Sequence, residues 1–174
     1  AKTKFLKALE LDKNLVQAKI NIATLYQLEG NEDKADQIYN DLAKEQKGNP
    51  EVLFRRSTFA FKKESFEEGW KYFEYRWKVF PLNKTVWPIQ NKTLWKGEKG
   101  GRVVLWKEQG IGDQIILLSL VPEVQEMCGS VSVYVDPRLH SLCKRTMPET
   151  NFISDENALK RENFDYHLSL GSVP

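Results

Sequence analysis

Residues 23–42, with the sequence ATLYQLEGNEDKADQIYNDL, carry the pattern that decides the fold of the first half of the chain. Gly30 and Asn31 stand near its middle, where a glycine can end one helix and an asparagine can cap the next. Ala23 and Ala35 lie on either side, at positions where two helices can approach closely. The stretch therefore predicts a helical hairpin whose two helices pack through alanine.

This hairpin pattern recurs along the first half at a spacing of about 34 residues. One set of small and aromatic positions appears three times, the third time more loosely: Ala1, Phe5 and Ala8; Ala35, Tyr39 and Leu42; Gly69, Phe73 and Arg76. A second set appears twice, as Ala23 with Tyr26 and as Ser57 with Ala60. A helical period of this length predicts an array of stacked hairpins.

Helix caps agree with the same frame. Asn14 with Gln17, and Ser65 with Glu68, have the spacing of capping boxes, and Asn49 precedes Pro50 as a cap precedes a first helical residue. We expect helices over about residues 1–11, 15–29, 32–46, 50–63 and 66–79. The first would be the second helix of a hairpin whose partner precedes this sequence.

These features resemble the tetratricopeptide (TPR) family over residues 1–80, with the middle repeat the best match. The resemblance implies a scaffold of helical hairpins and not a catalytic site. A TPR groove commonly binds a peptide or protein partner. The alternative, which the sequence leaves open, is that these helices pack onto the domain that follows.

Residues 70–95 are rich in aromatic side chains, and Pro81 and Pro88 would end the last helix and keep the chain extended. We take residues 81–101 as an aromatic-rich linker that covers the end of the helical array. Stacking of these aromatics on nucleotide bases is the alternative. The formal net charge of +2 lacks the basic excess of a nucleic-acid-binding protein.

From Arg102 onward the pattern changes to short apolar runs alternating with helical stretches. We expect strands at residues 103–106, 131–135, 152–153 and 165–170, and helices at about 113–127, 137–145 and 156–161. Alternating strands and helices predict parallel pairing with right-handed crossovers. Residues 102–174 therefore read as a partial Rossmann-like α/β domain.

The loop Glu108-Gln109-Gly110-Ile111-Gly112-Asp113 follows the first of these strands. Ligands of open α/β sheets bind beyond the carboxyl ends of strands, so Glu108, Gln109, Gly110 and Gly112 are candidate substrate-binding residues. The dinucleotide fingerprint fails, because its third glycine position holds Ile115. Asp113 has two readings that stay open: a cap of the following helix, or a base for a substrate hydroxyl.

The order of this loop, the preceding Trp95-Lys96-Gly97 and the terminal Asp165-Tyr166-His167 resembles bacterial TPR proteins with a glycosyltransferase-like domain. That domain is similar to the heptosyltransferases, which have the two-domain GT-B fold. The resemblance implies that Asp113 is the catalytic base and that a nucleotide-sugar donor and a sugar acceptor meet between two domains. This sequence would hold at most the acceptor side, and the fragment alone would be inactive.

The two histidines and two cysteines are the other side chains that could take part in chemistry. His167 lies in the last strand and is a candidate substrate-binding residue, against the alternative of a core histidine, while His140 is expected in an exposed position on a surface helix. Cys128 and Cys143 are expected to be buried thiols in a reducing, cytoplasmic compartment, and we expect no metal, no cofactor and no membrane span.

Two functions therefore remain. The chain is either the scaffold and acceptor-side part of a GT-B-like glycosyltransferase, or a non-catalytic TPR interaction module with a degenerate α/β domain.

Overall fold

The computed structural model describes residues 2–79 and 92–174 of the chain. It divides into two units, Ala1–Pro81 and Leu82–Pro174. Helices make up the described part of the first unit, and a parallel sheet with helices makes up that of the second. The expectation of helices followed by an α/β unit is confirmed at this level.

Six helices form the described part of the first unit: α1 (Lys2–Leu11), α2 (Val16–Leu28), α3 (Glu32–Glu45), α4 (Pro50–Lys62), α5 (Phe66–Phe73) and α6 (Arg76–Val79). Each of the first four packs against the next one along the chain, and α6 packs against α4. The connections between them are short, as in antiparallel hairpins. The first four helices expected in this half are present, with ends within a few residues of those expected, while the fifth is divided into α5 and α6.

The small residues at the repeated positions lie in the core of the hairpins. Ala23 and Ala35 are fully buried, and they cluster with Tyr39 and Phe59. The rings of Tyr39 and Phe59 lie 5.6 Å apart between centroids. Ser57, the counterpart of Ala23 in the next hairpin, is also fully buried, and its hydroxyl donates to the Phe54 carbonyl.

Helix caps divide into those with side-chain bonds and those without. Asn31 accepts from the Lys34 N–H, and Asn49 accepts from the N–H groups of the first turn of α4. The prediction for Asn14 was wrong, because Leu15 occupies the cap of α2 and no side-chain bond forms there. Ser65 does precede α5, yet its side chain makes no capping bond.

The third repeat departs most from the pattern, as its sequence suggested. The helix expected over residues 66–79 breaks at Glu74 and Tyr75, which separate α5 from α6. Arg76 occupies the position that Leu42 holds in the repeat before and is likewise fully buried. Its guanidinium lies over the rings of Phe73 and Trp77, at 4.4 and 4.2 Å from their centroids. The guanidinium also pairs with the Glu74 carboxylate at 2.7 Å. This ion pair and the cation–π contacts together accommodate a charge where the repeat has an apolar residue.

Five strands form the sheet within residues 92–174 of the second unit: β1 (Thr93–Leu94), β2 (Arg102–Trp106), β3 (Ser130–Tyr134), β4 (Asn151–Ile153) and β5 (Tyr166–Ser169). Their spatial order is β1-β5-β2-β3-β4, and every pair is parallel. The four strands expected from Arg102 onward are all present. Parallel pairing is confirmed.

Three helical connections join the strands. The connection from β2 to β3 is α7 (Ile111–Leu117), a 3-10 turn (Leu118–Leu120) and α8 (Val121–Met127). The other two are α9 (Pro137–Thr146), between β3 and β4, and α10 (Glu156–Arg161), between β4 and β5. Because the first two crossovers step one way along the sheet and the third returns, right-handed connections place α10 on the opposite face.

The segment taken as a linker contains β1, one of the two outer strands of the sheet that the structure describes. Thr93–Leu94 pairs with Tyr166 and His167, and the Trp95 N–H donates to the His167 carbonyl. Residues 92–101 thus belong to the second unit. The expectations for Phe80, Pro81, Trp87 and Pro88 lie outside the described residues.

The cysteines lie where the sequence suggested, since Cys128 and Cys143 are both buried, unbridged thiols. Burial raises the pKa of each thiol, which disfavours the thiolate. Among residues 2–79 and 92–174, every helix is too short or too polar to cross a bilayer.

Candidate functional site

The candidate site lies at the edge of the sheet where β2, β3 and β5 end. Parallel strands bring their carboxyl ends to one edge, and the loops there are the usual place for ligands. The loop after β2 leads into α7, and α7 contacts the 3-10 turn Leu170–Ser172 that follows β5. The geometry therefore brings the Glu108–Asp113 loop next to the end of β5.

The backbone of this loop turns sharply between Trp106 and Ile111. Gln109 has a φ of 60°, in the left-handed region that non-glycine residues rarely adopt. Gly110 then caps α7, and the Gly110 N–H donates to Asp113 Oδ2 at 3.0 Å. Asp113 is exposed and also closes the first turn of its own helix. The capping reading of Asp113 is thus realised in the structure.

The two glycines differ in the space around them. A Cβ added at Gly112 would meet no heavy atom within 4 Å, so this backbone is open to an approaching molecule. A Cβ added at Gly110 would lie 3.2 Å from Asp113 Oδ2 and would crowd the capping bond. Gln109, Gly110, Gly112 and Asp113 form one exposed surface.

Glu108 does not share that surface, because only 4% of it is exposed. The Ser169 hydroxyl, at the end of β5, donates to Glu108 Oε1. This contact joins the ends of two neighbouring strands. In this conformation Glu108 lies beneath the loop and supports it, which differs from the direct substrate contact that the sequence suggested.

Gln114 is a residue of this site that sequence reasoning missed. It is 3% exposed, and its side-chain Oε1 accepts from the Asp136 N–H at 3.0 Å. Its Nε2 lies 3.5 Å from the Gln109 carbonyl oxygen, to which it donates. One buried amide thus joins the loop after β2 to the loop after β3. The sequence does contain a sign of this role, because Gln114 is a polar residue three positions before Leu117 and therefore lies on the apolar face of the helix.

His167 lies within β5 and not on the exposed loop surface. It is 2% exposed, and its Nδ1 accepts from Trp106 Nε1 at 3.1 Å. Burial lowers the pKa of His167, and a hydrogen bond with the Lys92 backbone acts in the opposite direction. A neutral, buried imidazole bonded to an indole is the core histidine that the sequence left as the alternative.

His140 also differs from the expectation of an exposed side chain. It is half-buried, and its Nε2 lies 3.1 Å from the Phe152 carbonyl oxygen of β4. Within the described ranges, no cluster of three or more His, Cys, Asp or Glu side chains could hold a metal ion.

Charged groups surround the end of β3. Asp136 caps α9 by accepting from the Arg138 N–H at 3.0 Å, and the Arg138 Nε donates to the same carboxylate at 2.9 Å. These bonds lower the pKa of Asp136 from 3.8 to about 2, with a smaller contribution from the positive charge of Lys107. Asp136 therefore stays ionised near neutral pH, and its carboxylate is engaged by hydrogen bonds at the start of α9.

Comparison with known proteins finds a relative of low identity. No protein-family model matches the chain. The chain is 29% identical over 146 residues to Protein FlbA of Caulobacter vibrioides (strain ATCC 19089 / CIP 103742 / CB 15). The matched region covers 71% of this chain and 24% of the relative, so the similarity spans about a quarter of the relative's length.

Proposed function

We propose that this chain is a TPR-type helical scaffold joined to the acceptor-side part of a GT-B-like glycosyltransferase. In the longer protein, that enzyme would transfer a sugar from a nucleotide-sugar donor to a hydroxyl of an acceptor. The observation that carries the proposal is the exposed Gly110–Asp113 surface at the carboxyl edge of a parallel sheet, since a substrate can reach both its backbone and its carboxylate.

In the proposed reaction, Asp113 removes one proton from the acceptor hydroxyl. The acceptor oxygen attacks the anomeric carbon of the donor sugar, and the bond from that carbon to the nucleotide diphosphate breaks. The acceptor proton passes to Asp113, and the diphosphate leaves with the electron pair. Asp113 Oδ2 accepts from Gly110, while Oδ1 makes no hydrogen bond among the described residues and is available for this proton.

The loop is well supported for such a role. The side-chain amide of Gln114 donates to the Gln109 carbonyl, and the Glu108 carboxylate accepts from the Ser169 hydroxyl, so the start of the loop is anchored at two residues. A base must stand within hydrogen-bond reach of the proton that it removes, so a firmly held loop favours reaction. The helical unit would serve as the scaffold that presents a protein or peptide partner.

A second candidate function is a non-catalytic interaction module. The observation in its favour is the capping bond from Gly110 to Asp113, because an N-terminal cap fully accounts for an aspartate at this position. In that case the helical hairpins alone would bind the partner.

The test replaces Asp113 in the longer protein. Asp113→Asn keeps a capping oxygen but cannot accept a proton, so we expect the rate to fall by about 10²–10⁴-fold while the melting temperature hardly changes. Asp113→Ala should lower both the rate and, by about 1 kcal/mol, the stability. Turnover with a panel of nucleotide sugars and thermal unfolding are measured together.

Asp155→Asn is the matched control. Asp155 caps α10 through bonds to the Asn157 and Ala158 N–H groups, and it is exposed like Asp113. This variant should turn over at the parent rate. If Asp113→Asn also keeps the parent rate, Asp113 is only a cap and the base assignment is wrong. A parent protein that transfers no sugar from any donor would favour the interaction module.

A further inference from the structure

An apolar groove of about 320 Å³ runs along the outer side of the helices that cover one face of the sheet. One wall comes from α7, the following 3-10 turn and α8, and the other wall comes from α9. Apolar side chains dominate both walls: Ile115, Leu118 and Pro122 on the first, and Leu139, Leu142 and Met147 on the second. This groove lies apart from the Gly110–Asp113 surface.

Several large apolar side chains stand exposed beside the groove. Ile115 is 49% exposed, Ile116 71% and Leu142 38%. Single exposed apolar residues are ordinary, but a contiguous set along one groove is typical of a surface that another molecule covers. The charged residues beside the groove indicate which molecule covers it.

Acidic and basic residues are segregated between the two walls. Residues 115–127, which supply the first wall, contain Glu123 and Glu126 and no Lys or Arg, while residues 137–146 contain Arg138, Lys144 and Arg145 and no Asp or Glu. Glu126 follows Pro122 by four positions and therefore shares its side of α8. Arg145 follows Leu142 by three positions and shares its side of α9.

Charged side chains that form no salt bridge within the monomer are available to pair with a second molecule. Arg138 is engaged by Asp136. Glu126 and Arg145 are exposed, and neither forms a salt bridge within the described part of the chain. An exposed anion on one rim and an exposed cation on the other make the surface complementary to itself.

We propose that this groove is the interface between two copies of this chain, related by a two-fold axis that runs along the groove. Both walls run from the carboxyl to the amino edge of the sheet. Rotation about an axis parallel to them, in the plane of the interface, places the acidic rim of each copy opposite the basic rim of the other. Rotation about an axis across the groove would place like charges together, which disfavours association.

In this dimer the apolar side chains form the centre and the charges form the rim. Leu142 of each copy packs against the groove of the other, as expected of an isologous interface. Glu126 of each copy pairs with Arg145 of the other on both sides of the centre. The proposal is independent of sugar transfer, because neither wall includes the Gly110–Asp113 surface.

The test measures the molar mass of the 174-residue protein by light scattering and sedimentation over a range of concentrations. We expect a monomer–dimer equilibrium. Leu142→Glu places a charge at the centre of the interface and should weaken association by about a hundredfold or more. The matched control is Leu28→Glu, because Leu28 is 79% exposed and belongs to the first unit, whereas both walls of the groove belong to the second.

Charge reversal tests the orientation of the axis. Glu126→Arg alone and Arg145→Glu alone should each weaken the dimer by about tenfold, since each places like charges across the rim. The double variant, Glu126→Arg with Arg145→Glu, restores both pairs and should associate at the parent level. Arg161→Glu, an exposed reversal on α10, serves as the control and should have no effect.

Three results would overturn the proposal. The first is a monomer at every concentration, which would leave the groove to some other occupant. The second is a dimer that Leu142→Glu does not weaken. The third is a double charge reversal that is weaker than both single reversals, because it would show that the two residues do not face each other. Circular dichroism of each variant verifies that it is folded.

Discussion

Ala35 shows at the scale of one residue why the repeat needs small side chains. It is fully buried between helices in the cluster around Tyr39. The equivalent position one repeat later is Gly69, where even an added Cβ would come within 2.4 Å of the Phe61 ring. The backbones of paired helices therefore approach so closely at this position that a larger side chain would force them apart.

Ala35→Leu is therefore predicted to destabilise the helical unit by about 1–3 kcal/mol, because the extra atoms overpack the helix crossing. Equilibrium denaturation followed by circular dichroism measures the change. Gln37→Leu, at an exposed position of the same helix, is the control and should stay within about 0.5 kcal/mol of the parent. Equal stability of Ala35→Leu and the parent would contradict the repeat register.

Gln114 is the second residue whose replacement is informative. Gln114→Leu removes the acceptor of the Asp136 N–H and the donor to the Gln109 carbonyl. Leaving buried polar groups without partners costs about 1–3 kcal/mol. We expect that loss of stability, together with faster hydrogen exchange of the Asp136 amide as measured by NMR. Unchanged exchange at Asp136 would show that the bridge does not hold the β3 loop.

At the scale of elements, the start of α9 gives a pH prediction. The pKa of Asp136 is lowered to about 2 by its bonds to Arg138, and that of Asp165 to about 2 by its bonds to Arg102. Because both folded values lie below the unfolded value of about 3.9, the two carboxylates stabilise the fold above pH 4. That stabilisation is lost as the pH falls from about 4 to about 2.

The double variant Asp136→Asn with Asp165→Asn should therefore lose less stability than the parent between about pH 4 and pH 2. Asn retains the cap of α9, so the fold is kept. Urea denaturation at several pH values measures the slope. Asp41→Asn, at an exposed position without a salt bridge in the described structure, is the control. The same slope for the double variant and the parent would contradict the assignment.

Elements were easiest to predict where local chemistry decides them. Asn31 and Asn49 cap their helices as expected, because each offers a side-chain oxygen to N–H groups two or three residues away. Asn14 failed although its spacing to Gln17 was suitable, since the Asn14 N–H turns back to the Asp12 carboxylate and Leu15 takes the cap. Asn14 could either cap α2 or donate its N–H to Asp12, and the spacing of residues does not show which of the two is more stable.

At the scale of the whole molecule, the proposed function predicts that these 174 residues alone transfer no sugar. In the proposed mechanism the donor is held by a second domain, and reaction needs donor and acceptor side by side. The assay compares this chain with the longer protein under the same nucleotide-sugar panel. Sugar transfer by the 174-residue chain would contradict the proposal, provided that the longer protein is active in the same assay.

Local sequence patterns were enough to predict the two kinds of structure, the hairpin positions and four of the five strands that the structure describes. These features follow from near neighbours: the helical period, the alanines at crossings and the apolar runs from Arg102 onward. Parallel pairing also followed, because alternating strands and helices leave few other arrangements.

The order of the strands in the sheet and the contacts of the polar side chains could be learned only from the folded structure. β5 inserts between β1 and β2, so Thr93–Leu94 becomes an edge strand although two residues carry almost no pattern. The same placement buries His167 against Trp106 and brings Ser169 to Glu108, across 61 residues of sequence. Such contacts depend on the free energy of packing distant segments together, which no local pattern records.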